Sequence, residues 1–155
     1  MTGTDVLVEA LGQAGVAYEL LDHAPTDRAA DEAKALGLGA GEVAKTIVVA
    51  AGESNHRVVL LAADRIDLHK LRDVLESGKD AHLLTEDALR EEYPEFELGA
   101  VPPLGGREDR VIVDRRVTGL ERIVFEAGTH DSSVRIDTAA LVAATGAQVA
   151  DVSAD

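Results

Sequence analysis

The sequence has no cysteine and no tryptophan. The first absence removes disulfides, thiolate metal sites, iron–sulfur clusters and cysteine nucleophiles together. Aromatic residues are 3% of the 155 positions, too few for the stacking platforms that hold single-stranded nucleic acid. Basic residues are also scarce: 15 Lys and Arg face 29 Asp and Glu, a net charge of -14. A field of that sign repels phosphate at long range and excludes a dedicated DNA-coating protein. It permits a local nucleic-acid contact, because charge is screened beyond about 8 Å at physiological salt. Apolar runs such as Ile47 to Ala51 are far too short to span a bilayer. The N-terminal stretch MTGTDVLVEALGQAGV carries acids where a signal peptide needs lysines, so a soluble cytoplasmic protein is expected. Several catalytic signatures are missing too. No two of His23, His56, His69, His82 and His130 stand at helical ligand spacing, and there is no HExxH. There is no GxSxG and no GxxxxGK[ST]. Gly37, Gly39 and Gly41 lack the preceding strand of a dinucleotide-binding fingerprint and read as a turn. No metal and no cofactor is expected.

What remains is a globular composition, 46% hydrophobic and 28% charged, with room for one core, so residues 1–155 read as a single domain. Thr4 is a plausible cap for a helix carrying Val6, Leu7, Ala10, Leu11 and Ala14 at helical spacing, stopped by Gly15. Residues 16–21 read as a strand, and Thr26 or Asp27 can cap a second helix over 28–36. Residues 43–50 are β-branched and apolar, a central strand, with 57–63 pairing back across a turn. Asp67 caps a helix to about Leu75, and Thr85 caps a short one that ends before Pro94. Short strands are expected at 81–84, 111–114, 122–127 and 134–136. A last helix, capped by Asp137, covers 139–144, and an edge strand covers 149–152. Strands joined by tight turns outnumber what βαβ units could use. The fold class is α+β, a mixed and mostly antiparallel sheet surrounded by helices.

Three features stand out for chemistry. Lys45 is one of only four lysines and sits in the apolar segment Val43-Ala44-Lys45-Thr46-Ile47. It reads either as a snorkelling surface lysine or as a functional cation. In Gly99-Ala100-Val101-Pro102-Pro103, glycine admits close backbone approach and the prolines fix the shape. That leaves the Ala100 and Val101 N–H groups as donors in a loop that is otherwise an ordinary connection. In Ala127-Gly128-Thr129-His130-Asp131-Ser132-Ser133, His130 is either an acid, base or positioning group or part of a solvated turn.

Together these segments resemble the YbaK/EbsC family of aminoacyl-tRNA deacylases, which includes the editing domain of bacterial prolyl-tRNA synthetases. The resemblance is carried by His23-Ala24-Pro25-Thr26, Arg28-Ala29-Ala30-Asp31-Glu32-Ala33, Val43 to Val49, Asp67-Leu68, Gly99 to Gly105 as a GxxxP-type loop, Val113-Asp114 and Phe125-Glu126-Ala127-Gly128. These occur in family order over nearly the whole chain. The resemblance implies a compact fold with a half-barrel-like sheet. It also implies hydrolysis of the ester between a wrong amino acid and the tRNA 3′ end. Lys45, Gly99, Ala100 and Val101 would be catalytic. His23, Thr26, Thr46, Pro102, Pro103, Gly128, His130 and Ser133 would contact substrate. The chain departs from many relatives at Pro102, where they have a small polar residue, and from some at Ser133, where they carry an acid.

The chemistry suits such residues. An aminoacyl ester is already activated, so the protein need only place it, admit water or the ribose 2′-OH, and stabilise the oxyanion. Backbone N–H groups can do the last task, and Lys45 can meet a phosphate or the ester's polar end. The expected partners are aminoacyl-tRNA at its 3′ end, mis-acylated tRNA-Pro in particular, and a prolyl-tRNA synthetase that holds the tRNA. No DNA or membrane partner is expected. Arg107, Arg110, Arg115, Arg116 and Arg122 form the one basic stretch, but interleaved acids make it nearly neutral. Two other readings stand beside trans-editing: a non-catalytic tRNA- or synthetase-binding module, and a small-molecule ester or amide hydrolase.

Overall fold

The structure, a computed structural model, describes residues 1–26, 28–76 and 80–155. Helix α1 (Gly3–Ala14) buries Leu7 and Leu11, one turn apart, and ends at Gly15 with φ 68°. Its cap is Thr2, whose hydroxyl accepts from Asp5 N–H while the Asp5 carboxylate takes the Thr2 N–H. The expected cap, Thr4, lies inside the helix and donates its hydroxyl to the Ala127 carbonyl at 2.8 Å. A reciprocal box at Thr2 satisfies two orphan donors where Thr4 could satisfy one. Helix α2 (Ala29–Ala35) likewise starts at Arg28 with no side-chain cap. Thr26 instead bonds the His130 carbonyl through its N–H, and the alternative cap, Asp27, lies outside the described residues.

Strands β1 (Tyr18–Asp22), β6 (Arg122–Glu126) and β7 (Ser132–Asp137) form an antiparallel sheet in the order β1-β7-β6. Strands β2 (Ala44–Ala51), β3 (Ser54–Leu61), β4 (His82–Leu83), β5 (Arg110–Asp114) and β8 (Gln148–Ala150) form a second sheet in the order β4-β2-β3-β5-β8. Pairs β3-β5 and β5-β8 are parallel and the rest antiparallel, so the α+β, mixed and mostly antiparallel reading holds. Strand β8 begins and ends earlier than its apolar residues suggest. Val152 lies beyond it, its N–H and that of Ser153 taken by the fully buried Asp114 carboxylate at 2.9 and 3.1 Å.

The main core lies between the sheets and includes Leu7, Leu11, Val59, Val113, Ile123, Phe125, Ile136 and Leu141. A second cluster on the other side of the large sheet joins Val49, Val58, Leu60 and Ile112 to Leu71 of α3 (Leu68–Leu75). Strand β3 is therefore buried on both faces, as a central strand must be. Helices α4 (Glu86–Glu92) and α5 (Thr138–Thr145) complete the domain. Two arrangements position the site. Val43 bridges Val124, which brings the start of β2 beside the middle of β6, and α2 packs Ala33 against that pair. Arg57 of β3, fully buried, ties down the loop after α4. It donates to the carbonyls of Pro102, Gly105 and Arg107 and to Asp109, between 2.7 and 3.1 Å.

Candidate active site

A cavity of about 400 Å³ opens where β2, β6, α2 and the 99–101 turn converge. That is within the ~300–1,000 Å³ typical of small-molecule sites. It is lined by Lys45, Thr46 and Ile47 from β2, Phe125 and Glu126 from β6, Ala29 and Glu32 from α2 with Arg28 just before it, and Gly99, Ala100 and Val101. Ala44 and Ala62 complete it. Five of the residues expected at the site from sequence thus line one cavity: Lys45, Thr46, Gly99, Ala100 and Val101.

Lys45 reaches the cavity because β2 has just begun to pair with β3 there, Lys45 opposite Leu60. Its Nζ donates to the Ala62 carbonyl at 3.2 Å. Burial holds the ammonium below the ordinary lysine value, with Arg65 adding to the effect and Asp64 opposing it. With that one acceptor among the described residues, two of the three ammonium donors are left for a ligand. Thr46 Oγ1 is buried and has no hydrogen-bond partner among the described residues.

The 99–101 turn is held from both ends. Gly99 has φ 84°, which L side chains rarely adopt. Ala100 N–H donates to the Glu97 carbonyl at 2.9 Å, which closes the turn. Ala100 is therefore not the free donor that the loop's sequence suggests. The Gly99 and Val101 N–H groups are those left without a protein acceptor among the described residues.

His130 sits behind this turn rather than in the cavity wall. Its Nε2 lies 2.6 Å from the Leu98 carbonyl and its Nδ1 2.7 Å from Glu126 Oε2. A carbonyl only accepts, so Nε2 carries a proton. The ring is either an imidazolium donating at both ends or a neutral ring accepting from a protonated Glu126. Burial disfavours the charged ring, but the Leu98 carbonyl, Glu126 and Glu97 outweigh it and raise the pKa above the usual histidine value. The ring has no free lone pair at Nε2 to act as a base, and it fixes the orientation of the Leu98–Gly99 peptide.

The other expected contacts lie outside the cavity wall. Thr26 and the His130 carbonyl clamp the 26 and 130 loops together. Pro102 offers its carbonyl to Arg57, and Pro103 borders a separate depression with Arg57 and Arg107. Gly128, φ 84°, packs on Gly3 and Phe96, where any Cβ would come within 2.9 Å of them. Ser133 is fully buried and joins His23 to Glu32: His23 Nε2 is 2.8 Å from Ser133 Oγ, which bonds Glu32 Oε2.

Two acids were not singled out from sequence, Glu32 and Glu126. Both line the cavity, and Glu32 is fully buried. Burial pushes the Glu32 carboxyl up to about 8. The nearby Glu126 adds to this, while Ser133 and His130 oppose it. The available signal was at Glu126, an acid directly after Ile123-Val124-Phe125, whereas Glu32 stands between Asp31 and Lys34 and carries no such signal. Among the described residues no group of His, Asp and Glu is arranged to hold a metal. Among the described residues no helix is long and apolar enough to cross a membrane.

The structure is thus a small α+β domain of two open sheets, with the cavity where β2, β6, α2 and the 99–101 turn meet. The model of the aminoacyl-tRNA editing domain matches residues 23–144, and the chain belongs to that family. Among solved structures, it is similar to a candidate trans-editing enzyme for prolyl tRNA synthetase, with 24% identity, a TM-score of 0.89, and 100% of this chain and 99% of that one covered. It is also similar to the hypothetical protein APE2540, with 26% identity, a TM-score of 0.87, and 96% and 99% covered. A candidate signal transduction protein from Marinobacter aquaeolei VT8 shares the fold over 31% of its length and 97% of this chain, at 21% identity and a TM-score of 0.71. No curated protein matches.

Proposed function

We propose that the protein hydrolyses the ester between a wrongly attached amino acid and the 3′ end of tRNA, acting in trans on tRNA-Pro that a prolyl-tRNA synthetase has mischarged. The observation that carries this reading is the cavity that sets Lys45 against the Gly99–Val101 turn. Lys45 supplies positive charge in a chain otherwise hostile to phosphate. It holds the terminal phosphate or the ester's polar end. The Gly99 and Val101 N–H groups meet the oxyanion as the ester carbonyl becomes tetrahedral. The attacking oxygen is water or the vicinal ribose hydroxyl, and placement does most of the work. Family membership and the fold of the candidate trans-editing enzyme support this reading.

The test is turnover by the purified protein alone on alanyl-, cysteinyl- and seryl-tRNA-Pro, beside the same acyl groups on other tRNAs. Release of amino acid from one or more is the expected result. Binding of these tRNAs without turnover would instead make the protein a non-catalytic recruitment module. Equal hydrolysis of simple amino acid esters without tRNA would make it a small-molecule esterase.

A further inference from the structure

The proposed mechanism leaves Glu32 unused, although it is the most deeply buried acid in the cavity wall. Its two oxygens differ. Oε2 bonds Ser133, and Oε1 has no hydrogen-bond partner among the described residues. Leaving such an oxygen unpaired is costly unless water or a ligand donates to it. The groups around it are Glu126, Arg28 and Lys45 in the cavity lining, His130 behind the 99–101 turn, and Ser133 with His23 on the far side.

Counting protons along the rear connection gives two states. His23 Nδ1 lies 2.8 Å from the Ala24 carbonyl, so it carries a hydrogen. With His23 neutral, Nε2 must accept from the Ser133 hydroxyl. Ser133 then has no hydrogen left for Glu32, so Glu32 must be the protonated partner that donates. In the second state His23 is an imidazolium, its Nε2–H goes to Ser133, and Ser133 donates to a Glu32 carboxylate. The states differ by one shift of two hydrogens, from Glu32 Oε2 to Ser133 Oγ and from Ser133 Oγ to His23 Nε2. His23 is half-buried, so the proton can leave to solvent from there.

We infer that Glu32 is the counter-ion for the α-ammonium group of the bound aminoacyl ester, and that Ser133 and His23 carry away the proton that Glu32 loses when that group enters. An ammonium beside Oε1 supplies the missing donor and the positive charge that favours the carboxylate. Glu126 does not replace it, because its carboxyl is already engaged with His130. With no ligand bound, the neutral acid spares the cavity a second buried charge beside Glu126. The inference rests on the deacylase reading above.

The experiment compares aminoacyl-tRNA with the same tRNA carrying the matching α-hydroxy acid, for example alanyl against lactyl, as substrates for wild type, Glu32→Gln and Glu32→Asp. The wild type should prefer the amino ester by at least tenfold in kcat/KM, about 1.4 kcal/mol. Glu32→Gln, with folding checked by its melting transition, should collapse that ratio toward one, and Glu32→Asp should keep part of it. Wild-type rates equal for the two esters would overturn the inference while leaving the deacylase reading intact, whether or not the variants fold. A ratio unchanged in a folded Glu32→Gln would overturn it as well. Hydrolysis of neither ester, nor of any acyl group in the wider panel, would sink the deacylase reading and this inference with it.

Discussion

Lys45 is the residue on which the proposed chemistry turns. Lys45→Ala should lower deacylation by roughly 10²–10³-fold, as removal of one preorganised donor does elsewhere. The melting temperature should barely move, since the Ala62 carbonyl is the only protein acceptor lost among the described residues. Near wild-type turnover would remove it from the mechanism. His130 should behave differently. Both of its ring nitrogens are engaged, so His130→Ala should cost less than Lys45→Ala, by loosening the Leu98–Gly99 peptide. Its folded pKa is raised, so the imidazolium's contribution is complete below about pH 6.5 and is lost as pH rises through the higher folded value. The wild-type rate should therefore show no acid limb near pH 6–7 that His130→Ala abolishes. An acid limb of that kind, with a loss as large as that of Lys45→Ala, would make His130 the base. Lys45 was legible in the sequence because a lone cation in an apolar strand is conspicuous. Glu32 and Glu126 were not, because an acid's burial depends on which strand and helix faces meet. Only the Val43–Val124 bridge and the packing of α2 decide that.

Elements were more legible than their ends. Every helix and strand expected from periodicity is present, yet caps moved at Thr4 and Thr26, where a distant carbonyl outcompeted the local backbone. Pattern could not reveal that β5 pairs parallel with β3 and β8, since register between distant segments is set by packing. Nor could it reveal that a buried Arg57 organises residues 102–107. The two positive-φ glycines flanking His130 illustrate the same limit. At Gly99 an added Cβ would meet only the His130 ring, at 3.5 Å. Gly99→Ala should therefore cost about 1–2 kcal/mol of backbone strain, a shift of about 2–8 °C, with a disproportionate loss of activity. At Gly128 the Cβ would strike the backbone of Gly3 at 2.8 Å, so Gly128→Ala should destabilise far more. Thermal melts of the two variants beside their turnover test this. Equal destabilisation would show that Gly99 is as structural as Gly128.

At the scale of the whole molecule, charge governs both stability and encounter. Glu32 holds its proton up to about pH 8 in the fold, against 4.5 for an unperturbed glutamate. Between those values the native state binds more protons than the unfolded one, so this residue makes stability fall as pH rises, by at most about 1.4 kcal/mol per unit. Glu32→Gln should remove that component. Denaturant unfolding at pH 5.5, 7 and 8.5 should show the variant gaining on wild type as pH rises, and parallel curves would contradict the assignment. Encounter with tRNA follows from the net charge of -14 and from where the cations are. Four of the five arginines in the stretch are neutralised in place: Arg107 pairs with Glu92 and Asp109, Arg115 with Asp151, Arg116 with Asp64 and Asp155, and Arg122 with Asp137. The cations lining the cavity are Arg28 and Lys45. A protein that meets the single-stranded 3′ end with one or two cations should show a slope of log kcat/KM against log salt of only about -0.7 to -1.4. Long-range repulsion by the acidic surface makes it shallower still, because added salt screens that repulsion. Measured between 50 and 300 mM KCl below saturation, the rate constant should fall by less than about tenfold, which leaves tRNA capture to a partner that already holds it. A slope corresponding to six or more phosphates would mean that the arginine face unpairs and grips the tRNA body, and that the protein needs no partner to find its substrate.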